Sequence, residues 1–208
     1  MKRNVISEIN KWVADCFFGI VIRILILRTD RSLLPMTINV ELRFLTHIEN
    51  QLMHCDEFSI SVAFISRSGF VELSETLKEL ERRGIKGRIL TTDYLHFSDP
   101  YALDRLAVLK NVELKMYHVD DAGVGFHTKG YLFKESGIYR IIIGSSNMTQ
   151  TALSTNMEWN TQLVSTEQGE MAQAIVKEFE MLWSDDASYT YEEFSEVYRK
   201  EYKRKKAD

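Results

Sequence analysis

The sequence lacks several features that would place it in a specialised class. Cysteine occurs only at Cys16 and Cys55 in 208 residues, too few for a disulfide framework or a cysteine-rich zinc site, which fits a reducing, cytoplasmic compartment. Two prolines and ten glycines exclude collagen-like and proline-rich architectures. A hydrophobic content of 45% and a charged content of 27% are typical of a globular chain and exclude a largely disordered one.

An excess of positive charge is also lacking. Lysine and arginine number 26 against 30 aspartates and glutamates, a formal net charge of −4, so any contact with nucleic acid must come from a local patch. One candidate patch is Arg82, Arg83, Lys86 and Arg88, although a solvated face explains it more simply. The other is the basic run 199–206, which also complements the dipole of a helix C-terminus.

The longest apolar run is too short to span a membrane. Phe17 to Leu27 contains Arg23 and has about half of the roughly 20 apolar residues that a spanning helix needs. No small-residue cleavage site follows it. We interpret it as a buried or partner-facing segment, and residues 1–36 remain an unassigned N-terminal extension.

From residue 37 onwards, short apolar strands alternate with amphipathic helices. The pattern predicts strands at 37–40, 58–65, 87–91, 112–118, 126–133, 139–143 and 158–164. Helices are predicted at 42–53, from residue 69 after a Ser68 cap, from Pro100, at 168–183 and at 191–206. This order predicts an α/β fold with a parallel or mixed sheet and packed helices. We assign one domain to 37–184 and a basic C-terminal helix to 185–208.

The segment from Phe126 to Asn160 carries the candidate chemistry. His127 and Lys129 lie two residues apart on a predicted strand, so both side chains leave the same face. The next strand leads into Gly144, Ser145, Ser146 and Asn147, whose amides, hydroxyls and carboxamide suit an anionic oxygen cluster. An ordinary helix-capping turn also explains this tetrapeptide. Glu158 opens a strand with Asn160 on the same face, where it is either solvated or orients an imidazole.

In this order, His127-x-Lys129, Gly144-Ser145-x-Asn147 and the downstream Glu158 resemble the motif of the phospholipase D superfamily. The wider pattern is most similar to phospholipase D-like nuclease domains of bacteria, which include single-motif endonucleases and domains fused ahead of superfamily II helicases. The resemblance implies a mixed sheet with helices on both faces and catalysis by His127, Lys129, Asn147 and Glu158. It implies that the substrate is bound by Gly144, Ser145, Ser146 and Asn160.

One position departs from the family pattern. Lys134 stands where the full motif has an aspartate, which weakens a lipase assignment more than a nuclease assignment. The hypothesis is therefore a metal-independent phosphodiesterase that cleaves DNA through a phosphohistidine at His127 and needs no cofactor. The alternatives are a non-catalytic nucleic-acid-binding domain of a helicase or restriction system, and a phospholipid-acting enzyme.

The proposed chemistry also predicts an assembly. It needs two imidazoles, one as nucleophile and one as general acid, and the chain has one matching histidine. A homodimer with one composite site is therefore expected. Tyr94, Phe97 and Tyr101, which follow the predicted strand 87–91, either stack on bases or pack in the core.

Overall fold

A computed structural model of the protein describes residues 44–207, which form one seven-stranded sheet with helices on both faces. The strands are β1 (Glu57–Val62), β2 (Lys86–Thr92), β3 (Val112–Tyr117), β4 (Lys129–Glu135), β5 (Ile138–Gly144), β6 (Asn160–Thr166) and β7 (Ser188–Thr190). The helices are α1 (Phe44–His54), α2 (Arg67–Arg83), α3 (Pro100–Ala107), α4 (Val119–Ala122), α5 (Glu170–Trp183) and α6 (Tyr191–Ala207). A 3₁₀ turn spans Tyr94–His96 and a π-helical turn spans Thr151–Thr155.

The predicted strand 37–40 and the apolar run Phe17–Leu27 lie outside the described residues, as does Cys16. Among residues 44–207, no helix has the length and apolar character needed to cross a membrane.

The strand order is β6-β5-β4-β1-β2-β3-β7. β1, β2 and β3 are parallel, because α2 and α3 provide the crossovers between them. β4 is antiparallel to β1 and continues as an antiparallel meander through β5 and β6. The predicted α/β fold, a phospholipase D-like mixed sheet with helices on both faces, is confirmed.

Each face of the sheet has its own hydrophobic core. On one face α1, α2, α3 and α6 bury a large cluster that includes Phe44, Leu77 and Tyr198. On the other face α5 buries Phe179 and Trp183 against the sheet. Full burial of one such side chain contributes about 1.5–3 kcal/mol, so both cores stabilise the packing of the helices on the sheet.

The caps of α2 and α3 show how the sequence sets the helix ends. Ser66, and not the predicted Ser68, caps α2, since its Oγ accepts the Gly69 N–H at 2.9 Å. Gly84 ends α2 at a φ of 71°, as its position predicts. Asp99 caps α3 by accepting the Tyr101 N–H at 2.8 Å, and Pro100 is the first helical residue.

Two predicted strands begin later than the β-rich sequence indicates. The predicted strand 126–133 begins at Lys129, and the predicted strand 158–164 begins at Asn160. The reason is that the partner strands end there: β1 ends at Val62 opposite Lys129, and β5 ends opposite Asn160. His127 and Glu158 consequently lie in loops, and the predictions that they share strand faces with Lys129 and Asn160 are wrong.

Of the segment 185–208, predicted as a separate basic helix, residues 185–207 are described, and they continue the same sheet and core. β7 pairs antiparallel with β3, and Tyr191, Phe194 and Tyr198 of α6 belong to the larger core. Arg199 of the predicted basic run pairs with Asp104, which joins α6 to α3.

Most of the other basic patch is engaged in local contacts. Arg82 pairs with Glu79 at 2.7 Å, Arg83 donates to the Met53 carbonyl at 2.7 Å, and Arg88 donates two hydrogen bonds to Glu180. These intramolecular contacts favour the interpretation of Arg82, Arg83, Lys86 and Arg88 as a solvated face over that of a nucleic-acid-binding patch.

Candidate active site

The predicted catalytic residues meet at one edge of the sheet. His127 precedes β4, Asn147 follows β5 and Glu158 precedes β6. Because these strands form an antiparallel meander, the start of β4, the end of β5 and the start of β6 lie at the same edge. This edge is also the C-terminal end of β1, since Val62 pairs with Lys129.

Residues outside the motif hold the loop that carries Asn147. The Asn147 Oδ1 accepts the Phe64 N–H at 3.1 Å, and the Met148 N–H donates to the Phe64 carbonyl at 3.1 Å. The Ser66 N–H donates to the Met148 carbonyl at 3.0 Å. The carboxamide oxygen of Asn147 is therefore engaged, whereas its NH₂ group donates no hydrogen bond among the described residues and is available to an anionic oxygen.

At two positions around this loop, neighbouring atoms come so close to the backbone that only glycine fits. A Cβ on Gly69 of α2 would lie 2.2 Å from the Met148 carbonyl oxygen. A Cβ on Gly144 would lie 2.2 Å from the Trp159 carbonyl oxygen and from the Asn160 Oδ1. Distances this short are not found for real Cβ atoms, so both glycines are needed to seat the loop.

Two of the four predicted substrate-binding residues are buried and bind each other. The Asn160 Nδ2 donates to the Ser146 Oγ at 2.9 Å, and both residues are buried. The Ser146 carbonyl also accepts the hydroxyl of the buried Tyr131 at 3.1 Å. Ser146 and Asn160 thus join β5 to β6 beneath the loop, whereas Ser145 is exposed and Gly144 is half-buried.

Glu158 is held by residues of its own segment, the connection between β5 and β6. Its carboxylate accepts the Ser145 hydroxyl, and its Oε1 accepts the Asn156 Nδ2 at 3.4 Å. The Ser145 Oγ also accepts the Trp159 N–H at 3.0 Å, which fixes the hydroxyl. The structure shows no hydrogen bond or ion pair between Glu158 and His127, so it does not bring the predicted pair into contact.

Lys129, the first residue of β4, contacts the segment that carries His127. Its Nζ donates to the His127 carbonyl at 3.0 Å. Burial lowers the pKa of the Lys129 ammonium, and the negative charge of Glu158 opposes this effect by raising it. A partly desolvated ammonium interacts more strongly with an incoming anion than one in bulk water.

The His127 side chain is exposed and packs edge-to-face on Phe64, with ring centroids 5.8 Å apart at 67°. Neither imidazole nitrogen has a hydrogen-bond partner among the described residues, so both face solvent or a ligand. Phe64 is the functional residue that sequence reasoning missed, because an apolar residue at the end of a predicted strand has no distinguishing mark. It positions Asn147 through its N–H and His127 through its ring.

A cleft of about 300 Å³ opens beside His127. Ser61, His127 and Lys129 line one side of it, and Ile175, Phe179 and Leu182 of α5 line another. The cleft gives the imidazole a partly apolar border.

The substituted motif position is remote from this site. Lys134 lies five residues beyond Lys129 on β4, about 17 Å along the strand. Its Nζ pairs with Glu167 at 2.6 Å and with Glu57 at 3.3 Å. Lys134 therefore joins β4, β1 and the end of β6 at the opposite edge of the sheet. Across residues 44–207, no group of three or more histidine, cysteine or acidic side chains forms a potential metal site.

Comparison with known proteins connects this geometry to a family. The family model described as "Cardiolipin synthase, PLD-like domain" matches residues 48–183, a range that includes every predicted site residue. The chain belongs to the phospholipase D-like family. No curated protein sequence matches the chain.

Solved phospholipase D-like structures share the fold. NucT from Helicobacter pylori is 15% identical with a TM-score of 0.53, and the match covers 70% of this chain and 89% of NucT. Nuc from Salmonella typhimurium, a phospholipase D family member, is 13% identical with a TM-score of 0.52, covering 70% and 88%. Phosphatidylserine synthase from Haemophilus influenzae is 14% identical with a TM-score of 0.51, covering 70% of this chain and 36% of the synthase. At these identities the similarity shows the fold alone.

Proposed function

We propose that this phospholipase D-like chain is a metal-independent phosphodiesterase that cleaves nucleic acid, with DNA as the preferred substrate, through a phosphohistidine at His127. The observation that carries the proposal is the exposed imidazole of His127, free of hydrogen bonds within the described chain. It shares one sheet edge with the available amide of Asn147 and the partly desolvated ammonium of Lys129.

The reaction has two steps. In the first, an imidazole nitrogen of His127 attacks phosphorus and forms a P–N bond, while the P–O bond to the leaving oxygen breaks and a second imidazolium protonates that oxygen. In the second step, the second imidazole, now neutral, takes a proton from water; the water oxygen forms a P–O bond while the P–N bond breaks and releases His127. Lys129 and the Asn147 NH₂ stabilise the negative charge on the non-bridging oxygens in both steps.

Glu158 retains its predicted role as the residue that orients the imidazole. A carboxylate has about four lone-pair sites, and here Ser145 and Asn156 engage two of them. The remaining sites accept an imidazole N–H in the assembled enzyme. Ser145 then acts through Glu158 as a positioning residue.

The second imidazole comes from a second copy of the chain. His118 follows β3, three strand spacings or about 14 Å from β4, and its Nδ1 binds Asp93. His54 ends α1 just before β1 begins, at the opposite edge of the sheet. His47 is buried on α1, and His96 is stacked on Tyr198. A two-fold homodimer that brings two His127 side chains to one phosphate supplies the missing group.

The test measures cleavage of bis(4-nitrophenyl) phosphate and of DNA in excess EDTA, with acid-quenched trapping of the covalent adduct. Wild type should be active and form an adduct, His127→Ala should lose both, and the matched control His54→Ala should retain both. Light scattering should give the mass of two chains, and mixed dimers with His127→Ala chains should lose cleavage. Strict dependence on Mg²⁺, or an active His127→Ala variant, would overturn the proposal.

A second candidate is a nucleic-acid-binding domain without chemistry, such as the accessory domain of a helicase or restriction system. The absence of a contact between Glu158 and His127 favours it. In that case the protein should bind DNA, while wild type and His127→Ala should give equal background rates in the same assay. Phosphatidylglycerol vesicles, assayed in parallel for release of the headgroup, distinguish both candidates from a phospholipid-acting enzyme.

A further inference from the structure

Three aromatic side chains next to the site are exposed. Tyr94 is 39% exposed, Phe97 is 56% exposed and Tyr101 is 42% exposed, so they do not pack in the core. We call these three residues the aromatic shelf. They lie beyond the C-terminal end of β2, at the same sheet edge as His127.

The backbone of the shelf has an unfavourable conformation that the surrounding residues maintain. Leu95 and His96 have φ values of 55° and 54°, in the left-handed region that residues other than glycine rarely adopt. The His96 ring stacks on Tyr198 of α6, with centroids 5.5 Å apart and planes at 5°. The Tyr94 N–H donates to the Thr92 hydroxyl at 3.1 Å. Strain of this kind accumulates at binding and catalytic sites, where it fixes side-chain direction.

The shelf is continuous with the proposed nucleophile. The Phe97 ring packs edge-to-face on Phe64 at 5.0 Å, and Phe64 packs in the same way on His127 at 5.8 Å. A nucleic-acid strand that places a phosphate at His127 therefore passes the shelf within one or two nucleotides of that phosphate.

Positive charge borders the shelf on two sides. The Arg67 guanidinium lies over the Tyr101 ring, 4.1 Å from its centroid. On the other side, the Nε2 of His96 lies 3.9 Å from Glu201 of α6, beside the exposed basic end of that helix, Lys203, Arg204, Lys205 and Lys206. The pKa of His96 is lowered, mainly by burial; the charges of Asp93 and Glu201 raise it, and those of Lys205 and Arg204 add smaller lowering effects. Asp99 and Glu201 also lie in this region, where Asp99 caps α3 and Glu201 pairs with Arg204.

We propose that the aromatic shelf stacks the bases of a single-stranded nucleic acid whose phosphates extend from His127 towards the basic end of α6. Aromatic platforms beside a basic track are how proteins hold single strands without reading sequence. Bases within a duplex are stacked on each other and do not present their faces to such rings. The proposal rests on the proposed function and names its substrate class, a single strand.

The test measures binding and not cleavage, in the His127→Ala background, so that its outcome is separate from that of the chemistry. Fluorescence anisotropy compares a labelled 20-nucleotide thymidine strand with an abasic strand of the same length and charge. Because stacking of one base on an aromatic side chain contributes about 1–3 kcal/mol, or roughly 5- to 150-fold, the thymidine strand should bind at least about tenfold more tightly.

Variants then separate stacking from charge. Phe97→Ala and Tyr94→Ala should each weaken binding of the thymidine strand about fivefold or more and leave binding of the abasic strand unchanged. Phe97→Trp, which keeps an aromatic ring, should bind the thymidine strand as tightly as the parent protein does. Lys203→Glu should weaken both strands equally, whereas the matched control Lys177→Glu, exposed on α5, should weaken neither. Circular dichroism confirms that each variant is folded.

The proposal for the shelf would be overturned if the thymidine and abasic strands bound with equal affinity, or if Phe97→Ala and Tyr94→Ala weakened the binding of both strands by the same factor. Cleavage by the wild type would still support the proposed function in either case. Tighter binding of a duplex than of the single thymidine strand would also overturn the proposal for the shelf.

Discussion

Replacing Asn147 by aspartate separates the hydrogen bond that its side chain makes in the structure from the phosphate binding that we propose for it. The carboxamide oxygen accepts the Phe64 N–H at 3.1 Å, and the NH₂ group, which donates no hydrogen bond within residues 44–207, can bind a phosphate oxygen. Asn147→Asp has nearly the same shape, so it keeps an acceptor for Phe64 and replaces only the donor. Asn147→Ala removes both and leaves the Phe64 N–H without its partner.

The expected magnitudes differ for activity and stability. Loss of one donor to the transition-state oxyanion lowers kcat by about 10²- to 10³-fold. A carboxylate about 4 Å from the phosphate adds repulsion of about 4 kcal/mol at an effective dielectric constant of about 20, roughly another 10³-fold. Stability should change by less than about 1 kcal/mol in Asn147→Asp, but fall by about 1–3 kcal/mol in Asn147→Ala, where the N–H is unsatisfied.

The assay pairs bis(4-nitrophenyl) phosphate hydrolysis with thermal unfolding. For a chain of this size, 1 kcal/mol corresponds to a Tm shift of about 2–4 °C. Asn147→Asp should therefore be inactive with a Tm near that of wild type, and Asn147→Ala should be inactive with a Tm several degrees lower. Asn50→Asp, on the exposed face of α1, is the matched control and should change neither quantity. An Asn147→Asp variant with more than a tenth of the wild-type rate would refute the assignment of the NH₂ group to the phosphate.

Three further predictions concern residues outside the catalytic motif. Gly69→Ala should lower the free energy of unfolding by about 1–3 kcal/mol and reduce activity as well, because its Cβ meets the Met148 backbone; a Tm equal to wild type would contradict this close approach. Lys134→Gln should leave kcat unchanged and cost less than about 1 kcal/mol in urea unfolding, because the half-exposed pairs with Glu57 and Glu167 lie at the far edge of the sheet. Burial raises the pKa of the Cys55 thiol to about 12, whereas an unfolded thiol ionises near 8.5. Since the folded chain keeps this proton, its stability relative to Cys55→Ala should fall as the pH rises from about 8.5 to 12, and a pH-independent difference would refute the shift.

The element types could be predicted because apolar periodicity records which faces are buried. Leu73, Leu77 and Leu80 recur at helical spacing and are fully buried on α2. The starts of β4 and β6 were predicted too early, because β-propensity is local whereas pairing depends on where the partner strand ends. His127 precedes β4 for this reason, although its sequence neighbours favour a strand.

The candidate site was predicted from residue types in order, but their contacts were not. Ser146 and Asn160 have the same polar groups as Ser145 and Asn147, and only the three-dimensional packing shows that they are buried against each other. Tyr94 and Phe97 show the reverse case, because an aromatic residue after a strand indicates a core position by type and becomes exposed through the conformation of its turn.

The motif is contiguous along the chain, but its geometry depends on distant residues. All the predicted site residues fall between His127 and Asn160, whereas the contacts that seat them come from the segment that joins β1 to α2 and from the start of α2, through Phe64, Ser66 and Gly69. A peptide with His127 and the complete β4–β5–β6 meander would therefore contain all the predicted site residues of one chain in the correct order. It would still lack the β1–α2 segment that positions them relative to each other. Under the proposed function, activity needs both halves of the sheet as well as the second copy of the chain, so it should not return during refolding before β4 has docked onto β1.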